Sequence, residues 1–469
     1  MTEMSDASRT MQVTGWRCAV CAARVDIAQP FPWRCPNSTA ADRHHVLKII
    51  SGGDSVADRD TGRVSRNVND HAVADRDVDR ASRSDNASSF VRHDEDLAWA
   101  AYAEANGMDR DTRLALVAGL DVAVRAVAGV GFVPTPFTRS NTLSDALGFA
   151  AEGGVWVKDE TGGVAGSQKA RHLFSILLHL RAAETLGQLP ERPPLAIASC
   201  GNAALAAATL AMAASWPIDV YVPTWMSDAI GVKLDWLGAR IHRCERKATD
   251  PLGDPAMFRF REAVDAGAIP FTVQGPENAL ALDGGRTIGW EMCDQLAVVD
   301  APALDRVFVQ VGGGAFATCV GSAIASRCPA VRLHAVQTEG CAPLARAWDR
   351  AAELALGADQ YAQHWEQLMT VWDDPHSVAE GILDDETYDW IGVFEAMSES
   401  GGTPVVASET SVIAAHQLAR ASGFDVSATG SAGLAGLMTL LDHVGDVGSP
   451  ADRVSPSENV AVVMSGVER

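Results

Sequence analysis

A chain of 469 residues, 47% of them hydrophobic, is long enough for two or three domains and for a sizeable core. Its net charge of -22 excludes the phosphate-backbone binding that basic patches provide, and no apolar run reaches the roughly 20 residues that cross a bilayer. Residues 1–10 are polar and lack a secretory core, and the nine cysteines, several in apolar segments such as those of Cys293, Cys319 and Cys328, fit buried thiols better than a disulfide framework, so a cytoplasmic protein is expected.

Residues 1–50 contain Cys18-Ala19-Val20-Cys21 and then Cys35-Pro36-Asn37-Ser38. Two Cys-x-x-Cys knuckles would supply four thiolates to a tetrahedral zinc; here Ser38 stands at the fourth position, and His44 or His45 is the nitrogen able to replace it. Cys18, Cys21 and Cys35 are therefore candidate ligands of a structural zinc, with a metal-free remnant as the alternative. Segment 51–89 has no aromatic residue, leucine or isoleucine and repeats Val-Ala-Asp-Arg-Asp at 56–60 and 73–77. It is expected to be a disordered polar insert, because it cannot bury enough apolar surface to offset its ordering entropy. Globular patterning begins at Phe90: 111–128 reads as an amphipathic helix, Pro134 and Pro136 interrupt the chain, and 143–147 reads as a second helix.

The next stretch, Val155-Trp156-Val157-Lys158-Asp159-Glu160, reads as an apolar strand. It leads through the glycine-bearing loop Gly162-Gly163-Val164-Ala165-Gly166-Ser167-Gln168 to Lys169 in the first turn of a helix. The chain has five lysines against 33 arginines. Lysine deprotonates on burial and forms Schiff bases, which arginine does not, so Lys169 is a candidate nucleophile, with a surface lysine opening a helix as the alternative. Beyond it, strand-like runs at 195–198, 218–222, 306–311 and 333–336 alternate with helical stretches. That pattern indicates an α/β protein with largely parallel sheets, whose ligands sit beyond the carboxyl ends of the strands. Three such ends carry motifs. Ser199-Cys200-Gly201-Asn202-Ala203 offers backbone N–H groups and a hydroxyl at a helix N-terminus, suited to a carboxylate or to simple capping. Gly312-Gly313-Gly314-Ala315-Phe316 lets amides close around an anion without Cβ interference. The third, Val460-Ala461-Val462-Val463-Met464-Ser465, ends a buried-type strand in a hydroxyl.

Gly166-Ser167-Gln168-Lys169, preceded by Lys158-Asp159-Glu160, resembles the cofactor-lysine segment of fold type II pyridoxal-phosphate enzymes. This is the tryptophan synthase beta-like superfamily, which holds threonine synthase, serine and threonine dehydratases and cysteine synthase. The Ser199 loop, the Gly312 loop and Ser465 follow in that group's order. Asp283-Gly284-Gly285-Arg286-Thr287-Ile288, Gln337-Thr338-Glu339-Gly340 and Ala379-Glu380-Gly381-Ile382 resemble its smaller motifs, and the likeness runs from about 130 to 469. It implies an α/β fold of two mainly parallel-sheet domains with pyridoxal 5'-phosphate in the cleft between them. Residues 90–130 and 170–300 would form the smaller domain, and 131–169 and 301–469 the larger, cofactor-bearing one. The resemblance further implies that Lys169 forms the Schiff base and removes the Cα proton. By the same likeness, Gly312, Gly313, Gly314, Ala315 and Phe316 hold the phosphate, Asn202 contacts the phenolic oxygen and Ser465 faces the ring nitrogen. Ser167, Ser199, Cys200, Gly201, Asn202 and Ala203 would take the substrate.

On this likeness, Ser465, the Ala379-Glu380-Gly381 segment and a missing basic tail favour β-elimination from a small amino acid such as serine or threonine, giving a 2-oxo acid and ammonia. The N-terminal cysteines favour instead a threonine synthase-like or cysteine synthase-like replacement on a phosphorylated or activated amino acid. A leaving phosphate needs a cationic cluster, for which Arg139, Lys158 and Arg171 are candidates. A catalytically inactive binding protein on the same scaffold is the alternative of another class. Two departures leave the substrate open: Val426-Ser427-Ala428-Thr429-Gly430-Ser431 lacks the acidic group of dehydratases, and Ala170-Arg171-His172 departs from the commonest context after the lysine. The resemblance implies a homodimer with a small amino-acid substrate and no nucleic-acid or membrane partner. Residues 1–89, which precede every motif, are expected to be dispensable for chemistry.

Overall fold

A computed structural model describes residues 13–39, 42, 44–51, 87–250, 253–299, 301–442 and 453–469. Of the segment read as a disordered insert, 52–86 lie outside the described residues, as do 1–12.

The chain opens on a small antiparallel ribbon of β1 (Val13–Cys18), β2 (Arg24–Asp26) and β3 (Leu47–Ser51), ordered β2-β1-β3. Two further sheets follow. Strands β4 (Phe137–Ser140), β5 (Gly154–Asp159), β10 (Arg306–Gln310), β11 (Arg332–Thr338), β12 (Pro404–Ala407) and β13 (Asn459–Met464) form a six-stranded sheet in the order β12-β11-β10-β13-β5-β4. Strands β6 (Leu195–Ala198), β7 (Ile218–Pro223), β8 (Arg240–Cys244) and β9 (Ile269–Pro270) form a parallel four-stranded sheet in the order β8-β7-β6-β9. In the larger sheet only the edge pair β4 and β5 is antiparallel. Its central strands β10 and β13 are buried at every position, which is why they read as unbroken apolar runs rather than alternating ones.

Helix boundaries follow local chemistry. The helix expected at 111–128 is Arg110–Ala128, started by the Asp109 carboxylate accepting from the Thr112 N–H at 2.7 Å and stopped at Gly129, whose φ is +77°. The second expected helix is Asn141–Ala146, capped by Ser140. The helix Lys169–Thr185 is buried along most of its length despite its polar residues, so it lies inside the largest core cluster rather than on its surface. Polar groups on it must therefore find partners: Ser175 donates to Asp283 at 2.5 Å, and Arg171 is enclosed by carboxylates described below.

The ribbon is packed, not appended. Trp16 is 0% exposed, Ala279 N–H donates to the Trp33 carbonyl at 2.9 Å, and Asn106 donates to the Ala28 carbonyl at 3.1 Å. On its other side Lys48 pairs with Glu395 at 2.5 Å and His44 stacks on Trp365 with ring centroids 4.0 Å apart. Contacts to both α/β bodies weigh against treating residues 1–89 as dispensable. No helix among the described residues is long and apolar enough to cross a membrane.

Candidate active site

Sheet order brings the motifs together. β10, β13 and β5 are parallel neighbours, so their carboxyl ends emerge at one edge, carrying the Gly312 loop, Ser465 and the loop to Lys169 respectively. Backbone bonds lock this edge: Glu160 N–H donates to the Met464 carbonyl at 2.9 Å, Gln168 N–H to the Ser465 carbonyl at 3.0 Å, and Ser167 bridges to Gly466. The smaller sheet adds the Ser199 loop at the carboxyl end of β6, leading into the helix Asn202–Ala214. Asn202 Nδ2 lies only 3.0 Å from where a Cβ on Gly466 would sit, so this loop meets the Ser465 turn directly.

Lys169 is half-buried, and its Nζ has no hydrogen-bond partner among the described residues. Burial pulls its pKa down, against the opposing pull of the Asp384 and Asp389 carboxylates and a smaller one from Cys319. Ser465 Oγ accepts from Gln310 Nε2 at 2.7 Å, which leaves its own proton free to be donated. Ser167 Oγ, 2% exposed, and Gln168 Oε1 have no partner among the described residues. Gly314 has φ +93° and precedes the helix Ala315–Arg327, whose N-terminal dipole points at the glycine loop. No side chain fits here: a Cβ on Gly312 would fall 2.3 Å from Asp384 Oδ2, and one on Gly314 would fall 2.9 Å from Thr387 Cγ2.

Three cations proposed for a phosphate leaving group are committed elsewhere. Lys158, fully buried, donates to Glu291 at 2.5 Å, to Gln295 Oε1 at 3.1 Å and to the Thr135 carbonyl at 2.8 Å. Arg171 pairs with Glu160 at 2.8 Å and Glu291 at 2.5 Å. Burial pushes the Glu291 carboxyl up, but Arg171 and Lys158 outweigh it and hold it down at about 2. Arg139 donates to the Gly153 carbonyl at 2.7 Å and to Asn141 at 2.5 Å. On sequence the three are candidates for a cationic cluster, with ordinary surface charges as the alternative; in the structure each is paired, and removing such charges from water is tolerable only with partners.

Sequence reasoning missed the segment 383–389, which crosses the glycine loop. Asp389 N–H donates to the Gly313 carbonyl at 2.7 Å, and Asp389 Oδ2 accepts from Gly275 N–H at 3.0 Å. Burial raises Asp389 to about 7 and Asp384 to about 6. The dense acidic run Asp384-Asp385-Glu386-Thr387-Tyr388-Asp389, directly after Ala379-Glu380-Gly381, was the available signal.

In the ribbon, Cys18, Cys21, Cys35 and His45 converge, with their ligand atoms all within 4.8 Å of one another. The nitrogen belongs to His45, since His44 is stacked on Trp365, and Ser38 turns its hydroxyl to the Cys35 carbonyl at 2.8 Å.

Comparison with known proteins agrees with this geometry. A family described as pyridoxal-phosphate dependent enzyme matches residues 130–466. The chain belongs to that family. It is 26% identical over 319 residues to a threonine synthase of Methanosarcina acetivorans, covering 66% of this chain and 70% of the relative. It is 29% identical over 206 residues to an L-threonine ammonia-lyase of Thermotoga maritima, covering 44% of this chain and 46% of that one. A threonine deaminase structure from Solanum lycopersicum superposes with a TM-score of 0.55 at 18% identity, over 78% of this chain and 92% of that chain, and shares the fold. Pyridoxal phosphate fits the residues present. The glycine cradle at a helix N-terminus suits its phosphate, the unpartnered Lys169 amine suits its aldehyde, and the Ser465 proton suits its ring nitrogen.

Proposed function

We propose that this pyridoxal-phosphate dependent enzyme is a lyase that eliminates the β-substituent of a small amino acid, releasing a 2-oxo acid and ammonia. When bound, the cofactor supplies an aldehyde for Schiff-base formation and a ring that takes up the electron pair of the broken Cα–H bond. The chain's residues supply the rest. Lys169, biased toward the neutral amine by burial, would hold the cofactor through its amine and would then be placed to accept the Cα proton. Gly312, Gly313, Gly314, Ala315 and Phe316 would hold the phosphate through backbone amides. Ser465, whose Oγ accepts from Gln310, would donate to the ring nitrogen without protonating it, which would favour elimination over transamination. Asn202 would take the phenolic oxygen, and with Ser167, Ser199, Cys200, Gly201 and Ala203 it would receive the substrate.

The observation that carries elimination over phosphate replacement is the fate of the cations. Lys158 and Arg171 are spent on Glu291 and Glu160, while Asp384 and Asp389 face Lys169. A leaving phosphate would meet carboxylates. The competing replacement reading rests on the match to threonine synthase and on the cysteine ribbon. An assay of ammonia and oxo-acid release over serine, threonine, 2,3-diaminopropionate, O-phosphohomoserine and O-acetylserine separates them. Turnover of phosphohomoserine with phosphate release, and none of the others, would replace elimination by the second reading.

The same reading includes a structural zinc on Cys18, Cys21, Cys35 and His45. Cys21 Sγ to Cys35 Sγ is 3.5 Å and Cys18 Sγ to His45 Nδ1 is 3.4 Å, close to the edges of a tetrahedron with Zn–S bonds of about 2.3 Å. Asp42 lies 3.0 Å from His45 Nε2, the carboxylate partner that orients a ligating imidazole. One equivalent of zinc retained through dialysis is expected; none would make the ribbon a metal-free remnant. A cytoplasmic homodimer completes the reading, and sedimentation of the purified protein tests the dimer.

A further inference from the structure

The glycine loop already has an anion beside it. Asp384 Oδ2 lies where it would be 2.3 Å from a Cβ on Gly312 and 3.7 Å from one on Gly313, and the Gly313 amide pulls the pKa of that carboxyl down. Asp384 is half-buried and so is Lys169, whose charge bears on it near the carboxyl end of β10. Beside them Asp389 Oδ1, on a residue 1% exposed, has no partner among the described residues. A carboxylate bonded to a backbone amide at a helix N-terminus is chemically what a phosphate oxygen would be there.

We propose that Asp384 is an internal competitor for the phosphate seat: in the cofactor-free chain its carboxylate lies against Gly312 and takes the Gly313 amide, and it must leave before a phosphate can bind. The inference rests on the proposed function only in taking the loop's ligand to be a phosphate ester. Its consequence is a pH dependence opposite to that of a simple cationic phosphate site. Groups facing Asp384 are Lys169 from its helix, the Gly313 amide from the loop, Cys341, whose Sγ donates to the Asp384 carbonyl at 3.3 Å, and Asp385, Tyr388 and Asp389 from its own segment. Burial raises the Asp384 carboxyl to about 6, with Lys169 opposing and Asp385 assisting. Below that value the acid is neutral and yields the amide; above it the charged carboxylate holds it and repels phosphate.

The test uses the full chain stripped of cofactor and titrated calorimetrically with 4-deoxypyridoxine 5'-phosphate, which has ring and phosphate but no aldehyde. The wild type is compared with Asp384→Asn and Asp384→Ser from pH 5 to pH 8. Taking the ratio of dissociation constants, wild type over variant, cancels the ionisation of the phosphate itself. The ratio is expected near one at pH 5 and at least about tenfold at pH 8, since a competitor titrating near 6 gains weight with each further pH unit. The dephosphorylated analogue should show no such change. Equal affinities at every pH, or weaker binding by both folded variants, would overturn the proposal by showing that Asp384 is a bystander or a support. Failure of wild type and variants alike to bind at any pH would overturn the proposed function together with it.

Discussion

Lys169 is set apart from the other four lysines by its surroundings more than by its position in a motif. Lys158 is fully buried and saturated by Glu291, Gln295 and a carbonyl, whereas the half-buried Lys169 amine has no hydrogen-bond partner among the described residues and feels two acids, Asp384 and Asp389. That difference decides which amine reacts, because a nucleophile needs a free lone pair. Lys169→Gln is expected to lower elimination roughly 10²- to 10⁴-fold, the usual contribution of a positioned proton-transfer group. Single-turnover kinetics on cofactor-reconstituted protein measures it, and unchanged turnover would move the base elsewhere. Lys169, the Ser199 loop, Gly312 and Ser465 were legible because each lies at a strand end within one short stretch. Asp384 and Asp389 were not: their meaning depends on folding back over the glycine loop, more than 60 residues along the chain, and an acidic run in sequence looks like a solvated surface.

Among the elements, the helix Arg286–Val298 matters because it carries Glu291 into the joint between β5 and the Lys169 helix. Glu291 is 2% exposed and accepts from Lys158, Arg171, Ser89 and the Thr135 N–H. Sequence showed Lys158 and Arg171 on either side of Lys169, but their shared acid Glu291 lies 120 residues from Arg171, so their pairing could not be read. Glu291→Gln leaves two buried cations underpaired and is expected to cost about 3–5 kcal/mol of stability in urea unfolding at neutral pH. A loss under 1 kcal/mol would mean that water reaches the site. The wild type has a related acid limb. A carboxyl held at about 2, below its ordinary 4.5, stabilises the fold above 4.5 and loses that contribution as pH falls toward 2. Glu291→Gln should flatten this limb, as unfolding midpoints measured between pH 5 and pH 2.5 would show.

For the whole molecule, the alternation of strands and helices was readable because central parallel strands such as β10 and β13 are buried at every position and so carry apolar runs. The placement of the ribbon was not readable, since its docking rests on pairs far apart in the chain, such as Lys48 with Glu395. It holds Ala279, in the segment that also sends Gly275 N–H to Asp389, while gripping Trp365 on the other body. Loosening it is therefore expected to reach the site. Cys21→Ser, or chelation of a bound metal, should raise amide hydrogen exchange across 275–282 as well as within the ribbon. Exchange confined to 13–51 would make the ribbon an independent unit.

All of these statements depend on one amine carrying the cofactor, and borohydride trapping addresses it most directly. Full-length protein loaded with pyridoxal phosphate is reduced, which converts the Schiff base to a stable secondary amine, and is then digested and mapped by mass spectrometry. The expected result is a single modified lysine, Lys169, with a visible absorbance band that disappears on reduction. No adduct, or an adduct on Lys48, Lys158, Lys233 or Lys247, would contradict the account.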